Sequence, residues 1–294
     1  MKKLTGDRLA FMIISVVSVS IVAFLCLIPF ILVLTGSFES QEEILLHGFG
    51  FIPRKFTTAA YQTAFLNPAG ILNSYVVTVA VTLAGTILGL FITAMTAYVL
   101  SRKDFEWRNK FAFFFYFTTL FNGGIVPWYI LCVRYLKLND NFLGLLLPFM
   151  LSVFNILVMK SFMNSIPDAI SESGKIDGAN DFRVFATLIL PLSKPALATI
   201  GLFIALMYWN DWFLTYIFIQ NSRLYSLQYY LYKIIAGAEA LRKLANVPGK
   251  EGAIIPTESL KLAMTVITTG PIILLYPFVQ KYFVTGLTIG AVKG

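Results

Sequence analysis

Ile166–Leu197 reads IPDAISESGKIDGANDFRVFATLILPLSKPAL. Pro167 suits a first helical turn, where its missing N–H costs nothing. Ile166, Ile170, Ser173 and Ile176 recur at helical spacing on one face. Asp177-Gly178 interrupts the run, and Asn180 or Asp181 can cap a second short helix. On that helix Phe182, Phe185, Leu188 and Ile189 form another apolar face before Pro191. The stretch predicts a helix–Gly–helix hook carrying apolar faces. It hangs between two strongly apolar runs: Asn141–Met159 holds no Asp, Glu, Lys or Arg, and Pro195–Ser222 holds only Asp211. A polar hook between two such runs belongs at the surface of a membrane helix bundle.

The same pattern extends along the chain. Leu9–Phe38, Phe56–Ser101, Phe111–Val133 and Leu262–Gln280 are also free of charge. Of the 294 residues, 57% are hydrophobic and 13% charged, against roughly 25% charged in a soluble domain. A spanning helix takes about 20 apolar residues. Six fit, at roughly 10–35, 72–99, 111–134, 141–162, 196–220 and 262–284, and nothing remains for a soluble domain. The expected fold is all-α, a polytopic membrane bundle of six helices. The first apolar run is too long for a signal-peptide core, and no small-x-small cleavage site follows it.

Lys2, Lys3 and Arg8 precede the first span, and Arg102, Lys103, Arg108 and Lys110 crowd the 100–110 loop. Positive charge accumulates on the cytoplasmic side, so both sites are expected there, and six crossings return the C-terminus to the same side. The formal net charge of +8 follows from that bias, and no basic stripe with interleaved aromatics points to nucleic acid. The 221–261 segment is also basic, with Arg223, Lys233, Arg242, Lys243, Lys250 and Lys261. A long external segment can translocate regardless of its charge. Within it Leu227, Leu231, Ile234, Ile235, Ala238, Leu241 and Ala245 mark an amphipathic helix, expected on the outer membrane surface. Asn246-Val247-Pro248-Gly249 ends that helix.

Candidate pathway residues are few. Asn122 and Gly123, with Gly124 and Pro127, fall near the middle of the third span. They could break it and bare carbonyls to a cavity, or pack closely against another helix. Tyr208, Trp209 and Asn210 offer rings and an amide suited to sugars, although aromatics also belt any membrane interface. Asp211 follows Pro195 by sixteen residues, about 24 Å of helix at 1.5 Å per residue, which places it near the outer interface. Phe182 and Phe185 admit two readings: docking into a groove on another protein, or folding back on the bundle. A stand-alone secondary transporter for a small polar solute is the alternative function. A membrane enzyme is disfavoured, since the chain has one histidine, His47, and no HExxH, GxSxG or Walker A pattern. Neither metal site nor bound cofactor is expected on this chain.

Glu172-Ser173-Gly174, then Gly178, then Leu188-Ile189-Leu190-Pro191 resembles the EAA loop of binding-protein-dependent ABC importer permeases. That pattern is Glu-Ala-Ala, three residues, Gly, nine residues, Ile-x-Leu-Pro. Ser173 and Gly174 depart from it, and Gly174 is expected to loosen the first hook helix by about 1 kcal/mol relative to Ala. Ile176-Asp177-Gly178-Ala179, Asn122-Gly123-Gly124, Trp209-Asn210 and the C-terminal Gly290–Gly294 are similar to the carbohydrate-uptake branch, in a subgroup handling oligosaccharides including alginate and pectin fragments. The resemblance implies a type I ABC importer permease fold in a bacterial cytoplasmic membrane. It implies a heterodimer with a second permease, two ATPase subunits holding ATP and Mg, and an external solute-binding protein. It implies ATPase coupling through Glu172 as a polar anchor, Gly178 as the bend, and Ala179, Phe182, Phe185, Leu190 and Pro191. By the same analogy Pro248, Gly249, Lys250 and Glu251 would meet the binding protein.

Overall fold

The computed structural model describes residues 6–245 and 257–273. Regular structure among them is helical, apart from an isolated bridge between Glu39 and Phe56. The chain falls into two compact units. One comprises residues 1–68 and 231–271, and the other residues 69–230 and 272–294.

In the first unit, Gly6–Ser37 is one helix of 32 residues. Its most apolar window has no buried residue, so lipid or another subunit must cover it. The chain then turns back through Gln41–His47, whose N-cap Ser40 accepts the Glu43 N–H. Phe38 stacks on Phe56 at 5.4 Å and leans on Tyr61 at 4.9 Å. Glu39 is fully buried, its Oε1 accepting the Arg54 N–H at 3.1 Å. Gln41 Oε1 accepts the N–H groups of Glu258 (2.9 Å) and Ser259 (3.3 Å), closing the first turn of the 257–273 helix. That helix starts five residues before the sixth span read from sequence. The remainder of that span, from 274 on, lies outside the described residues. A Cβ on Gly36 would sit 2.6 Å from Leu262 Cδ1, so a side chain there would displace the Leu262 side chain.

The helix Leu227–Ala245 is present. Leu227, Leu231 and Ala238 are buried in protein. Protein therefore covers part of the apolar stripe expected at the membrane surface. Ile234 and Ile235 are partly covered, and Leu241 is largely exposed.

In the second unit the organising element is Pro68–Ser101, a helix of 34 residues. Its small residues receive the helix Lys194–Trp209: a Cβ on Gly85 would fall 2.2 Å from the Tyr208 ring, and one on Gly201 would meet Leu90 at 3.3 Å. Tyr208 Oη donates to the Leu146 carbonyl at 2.7 Å. The other apolar runs are bent. Arg108–Leu120 and Ile125–Tyr135 meet at 114°, Phe142–Phe149 and Val153–Met163 at 49°, and Asp181–Leu192 and Lys194–Trp209 at 84°. With each pair taken as one span, five helices or pairs among the described residues are long and apolar enough to cross. The third span is therefore not one continuous helix. Gly124 takes φ +87 and Asn122 Oδ1 accepts its N–H at 2.8 Å, a turn that ends the first half. Nor does the fifth run unbroken from 196 to 220. It stops at Trp209, and Asp211 Oδ1 accepts the N–H groups of Phe213 (3.2 Å) and Leu214 (3.3 Å) to start the short helix Phe213–Phe218.

Candidate coupling site

The hook is built as two short helices around a left-handed residue. The first is Asp168–Ile176. It ends where Gly178, at φ +79, donates to the Lys175 carbonyl while Ala179 donates to the Gly174 carbonyl, both at 3.0 Å. This pair of bonds is the glycine-terminated helix stop, and a Cβ in that conformation is strained. Asn180 then caps the second helix by accepting the Arg183 N–H at 2.8 Å. From Phe185 to Ile189 the helix widens into a π-turn, continues through Leu190–Leu192, and bends into Lys194–Trp209.

The two hook phenylalanines part ways. Phe185 is 2% exposed and rests 5.2 Å from Tyr98, ring to ring, with Val184 and Ile189 buried beside it in the same core. Phe182 is 58% exposed and Ile176 86% exposed. Docking through Phe185 is therefore corrected: its ring is spent on the bundle, and Phe182 alone of the pair keeps a free face. Gly178 and Pro191 are exposed, while Ala179 and Leu190 are partly covered. Gly174 is buried, and a Cβ there would meet Leu188 Cδ1 at 2.8 Å and Val184 Cγ2 at 3.2 Å. The missing methyl lets the two hook helices close on each other, so the expected loosening is offset by contact.

Charges fasten the bend to the 100–110 loop. Asp104 accepts from Arg102 and from Lys175 Nζ at 2.8 Å. Asp181 accepts from Arg102 at 2.5 Å and faces Lys175 at 3.8 Å. Lys103 pairs with Asp168 at the start of the first hook helix. The hydrogen bonds from Arg102 and Lys175 hold the Asp104 carboxyl well below the usual carboxylate range, and the bond to Asp104 raises Lys175. A cleft of about 500 Å³ lies between loop and hook, with Glu172, Arg108, Lys160 and Lys175 in its walls. Glu172 lines this cleft among basic side chains, with Asp104 and Asp168 also in its walls.

A family model described as "Binding-protein-dependent transport system inner membrane component" matches residues 89–289, the whole hook included. The chain belongs to that family. This permease is 38% identical over 272 residues to the Bacillus subtilis protein named "Polygalacturonan/rhamnogalacturonan transport system permease protein YtcP", covering 92% of this chain and 94% of the relative. It is 37% identical to Protein LplC of the same organism, over 91% and 90% of the two chains. A solved structure, described as a bacterial ABC transporter involved in the import of the acidic polysaccharide alginate, matches at TM-score 0.78 and 31% identity. The match covers 96% of this chain and 100% of that one. Membership sets aside the stand-alone secondary transporter.

The permease scatters its other candidate residues. Tyr208 is 2% exposed and hydrogen-bonded, so it holds helices together and does not face a pathway. Trp209 is buried as well, and Asn210 is exposed with its amide on the Leu206 carbonyl. Asp211 is a helix cap. Asn122 and Gly123 stand exposed at the 114° break, and a Cβ on Gly123 or Gly124 would meet nothing within 4 Å. Close packing through these glycines does not occur among the described residues. Pro248, Gly249, Lys250 and Glu251 lie outside the described residues. Sequence reasoning missed Arg102, Asp104, Lys175 and Asp181 as a group, having used the loop charges only to orient the chain.

Proposed function

We propose that this permease forms half of the membrane pathway of an ATP-driven importer for an oligosaccharide, in the acidic class represented by pectin and alginate fragments. It pairs with a second, similar permease in a bacterial inner membrane, with both termini cytoplasmic. Two ATPase subunits, which carry ATP and Mg, take the hook, and an external solute-binding protein delivers cargo. The observation that carries the reading is the hook itself. Its bend is fixed by Gly178 in a left-handed turn, its inner face is anchored through Phe185, and it leaves Ile176 and Phe182 uncovered. Exposed apolar side chains on a short, capped helical turn suit insertion into a groove on a partner. The carboxylate of Glu172 and the basic cleft wall behind it supply a polar flank. The acidic cargo class is supported by the polygalacturonan/rhamnogalacturonan named for YtcP and by the acidic polysaccharide alginate of the structural relative.

Replacing Gly178 with Asp tests the reading. The substitution forces a side chain into φ +79, at a cost of about 1–2 kcal/mol, on an exposed turn that the bundle core does not need. The expected result is protein retained in the membrane with uptake of oligogalacturonide lost. Unchanged uptake would refute the role of the hook.

A further inference from the structure

The hook joins the bundle covalently at two places, after Met163 and before Lys194. Between them Phe185 packs on Tyr98 and holds the second hook helix, while the bend itself presents mostly exposed residues. A separate attachment, made by charge, exists at the bend. Lys175 closes the first hook helix and Asp181 opens the second, so they flank Gly178 on either side. Both are gripped by residues just past the end of the Pro68–Ser101 helix: Asp104 holds Lys175 at 2.8 Å, and Arg102 holds Asp181 at 2.5 Å. Arg102 also pairs with Asp104 and lies over the Tyr98 ring at 5.8 Å. The four charges alternate in sign, and each touches two of opposite sign. Arg102 is the best shielded, with its side chain 19% exposed, and it sits directly over the Tyr98–Phe185 contact.

Resting on the reading of the hook as the coupling element, we propose that Asp104 and Arg102 are positioning residues for coupling. They tie the bend of the hook to the Pro68–Ser101 helix, so that a push on the bend reaches the bundle through that helix as well as through the chain ends. The 100–110 loop then belongs to the transmission, and an importer can lose coupling through it with an intact hook sequence. Arginine suits this role because its planar fork can bind two carboxylates at once.

The test uses the whole importer, reconstituted in liposomes with its binding protein, and reads cargo transported per ATP hydrolysed. Asp104→Asn is expected to lower that ratio by about fivefold or more, the size of a modest coupling energy. The fourfold variant R102D/D104R/K175D/D181R, which restores alternation with every sign reversed, is expected to recover it. A ratio in Asp104→Asn equal to the parent's overturns the proposal, and so does a loss that the fourfold inversion fails to repair. If Asp104→Asn does not assemble, Lys175→Met on the exposed side of the hook carries the same comparison. Gly178→Asp runs in parallel. If it uncouples while the charge variants do not, the clasp is refuted and the hook stands. If it leaves uptake intact, the coupling reading itself fails.

Discussion

At the hook, Arg102, Asp104, Lys175 and Asp181 clasp a bend whose underside is the fully packed Phe185. At a second joint, Arg242 and Lys261 clasp the Leu227–Ala245 helix to the 257–273 helix. Lys261 pairs with Glu239 at 2.8 Å, and Arg242 reaches Glu258 at 3.6 Å and Thr257 Oγ1 at 3.1 Å. Both joints combine exposed ion pairs with buried apolar residues, which at the second joint are Leu260, Ala263 and Met264. They differ in what the ion pairs hold. The pairs of the second joint join two whole helices, one of them capped by Gln41. The pairs at the hook hold a single turn of chain capped only by its own Asn180. Exposed pairs contribute about 0–1 kcal/mol each, too little to hold a helix in place but enough to choose between orientations of a bend. Burial therefore sets where each element sits, and charge sets how the hook is aimed.

The comparison predicts its largest effect at the buried residues. Phe185→Ala should cost about 3–5 kcal/mol and Leu260→Ala about 2–5 kcal/mol, read as a lowered thermal midpoint of the purified protein. A Phe185→Ala midpoint equal to the parent's would break the claim that burial places the hook. Phe182→Ala comes next. Being exposed, it should change stability by less than about 0.5 kcal/mol while weakening retention of the ATPase on a column, and equal retention would count against docking. The smallest effect is expected from pH. Bonds from Arg102 and Lys175 lower Asp104, and a bond from Lys261 lowers Glu239; bonds to Asp104 and Glu239 raise Lys175 and Lys261. A depressed carboxylate gives its stabilisation above its unfolded value and loses it as pH falls through the folded one. A raised lysine gives its stabilisation below its unfolded value and loses it as pH rises through the folded one. Both clasps are thus complete across neutrality, and coupling should be flat between about pH 6 and pH 8. A change within that window that disappears in Asp104→Asn would show the clasp titrating.

The hook was legible because local rules fix it: Gly178 stops a helix, Asn180 caps the next, and Pro167 precedes the first. The all-helical bundle was legible from runs without charge. What stayed hidden depended on longer range. Phe182 and Phe185 share a face by spacing, yet the π-turn that begins at Phe185 changes the helical phase, and only the Tyr98 ring from a distant helix decides which of them is covered. Asn122-Gly123-Gly124 announced a possible break but not its angle of 114°. The clasp joins residues 71 positions apart, and no spacing rule pairs Asp104 with Lys175. The amphipathic stripe of Leu227–Ala245 was correctly seen as apolar on one side, but a stripe does not say whether lipid or protein will meet it.

The 84° bend between Leu192 and Lys194 makes the second half of the hook a crank arm on the shaft Lys194–Trp209. The arm from Asp181 to Leu192 is about 18 Å long at 1.5 Å per residue. Sideways travel of about 3 Å at its tip, less than one helical turn, turns such an arm by about 10°. Because the arm stands nearly square to the shaft, that travel becomes torque about the shaft's long axis rather than a slide along it. A partner that moves Asp181 by the width of one atom can therefore twist Tyr208, at the far end of the shaft, against the glycine surface it rests on.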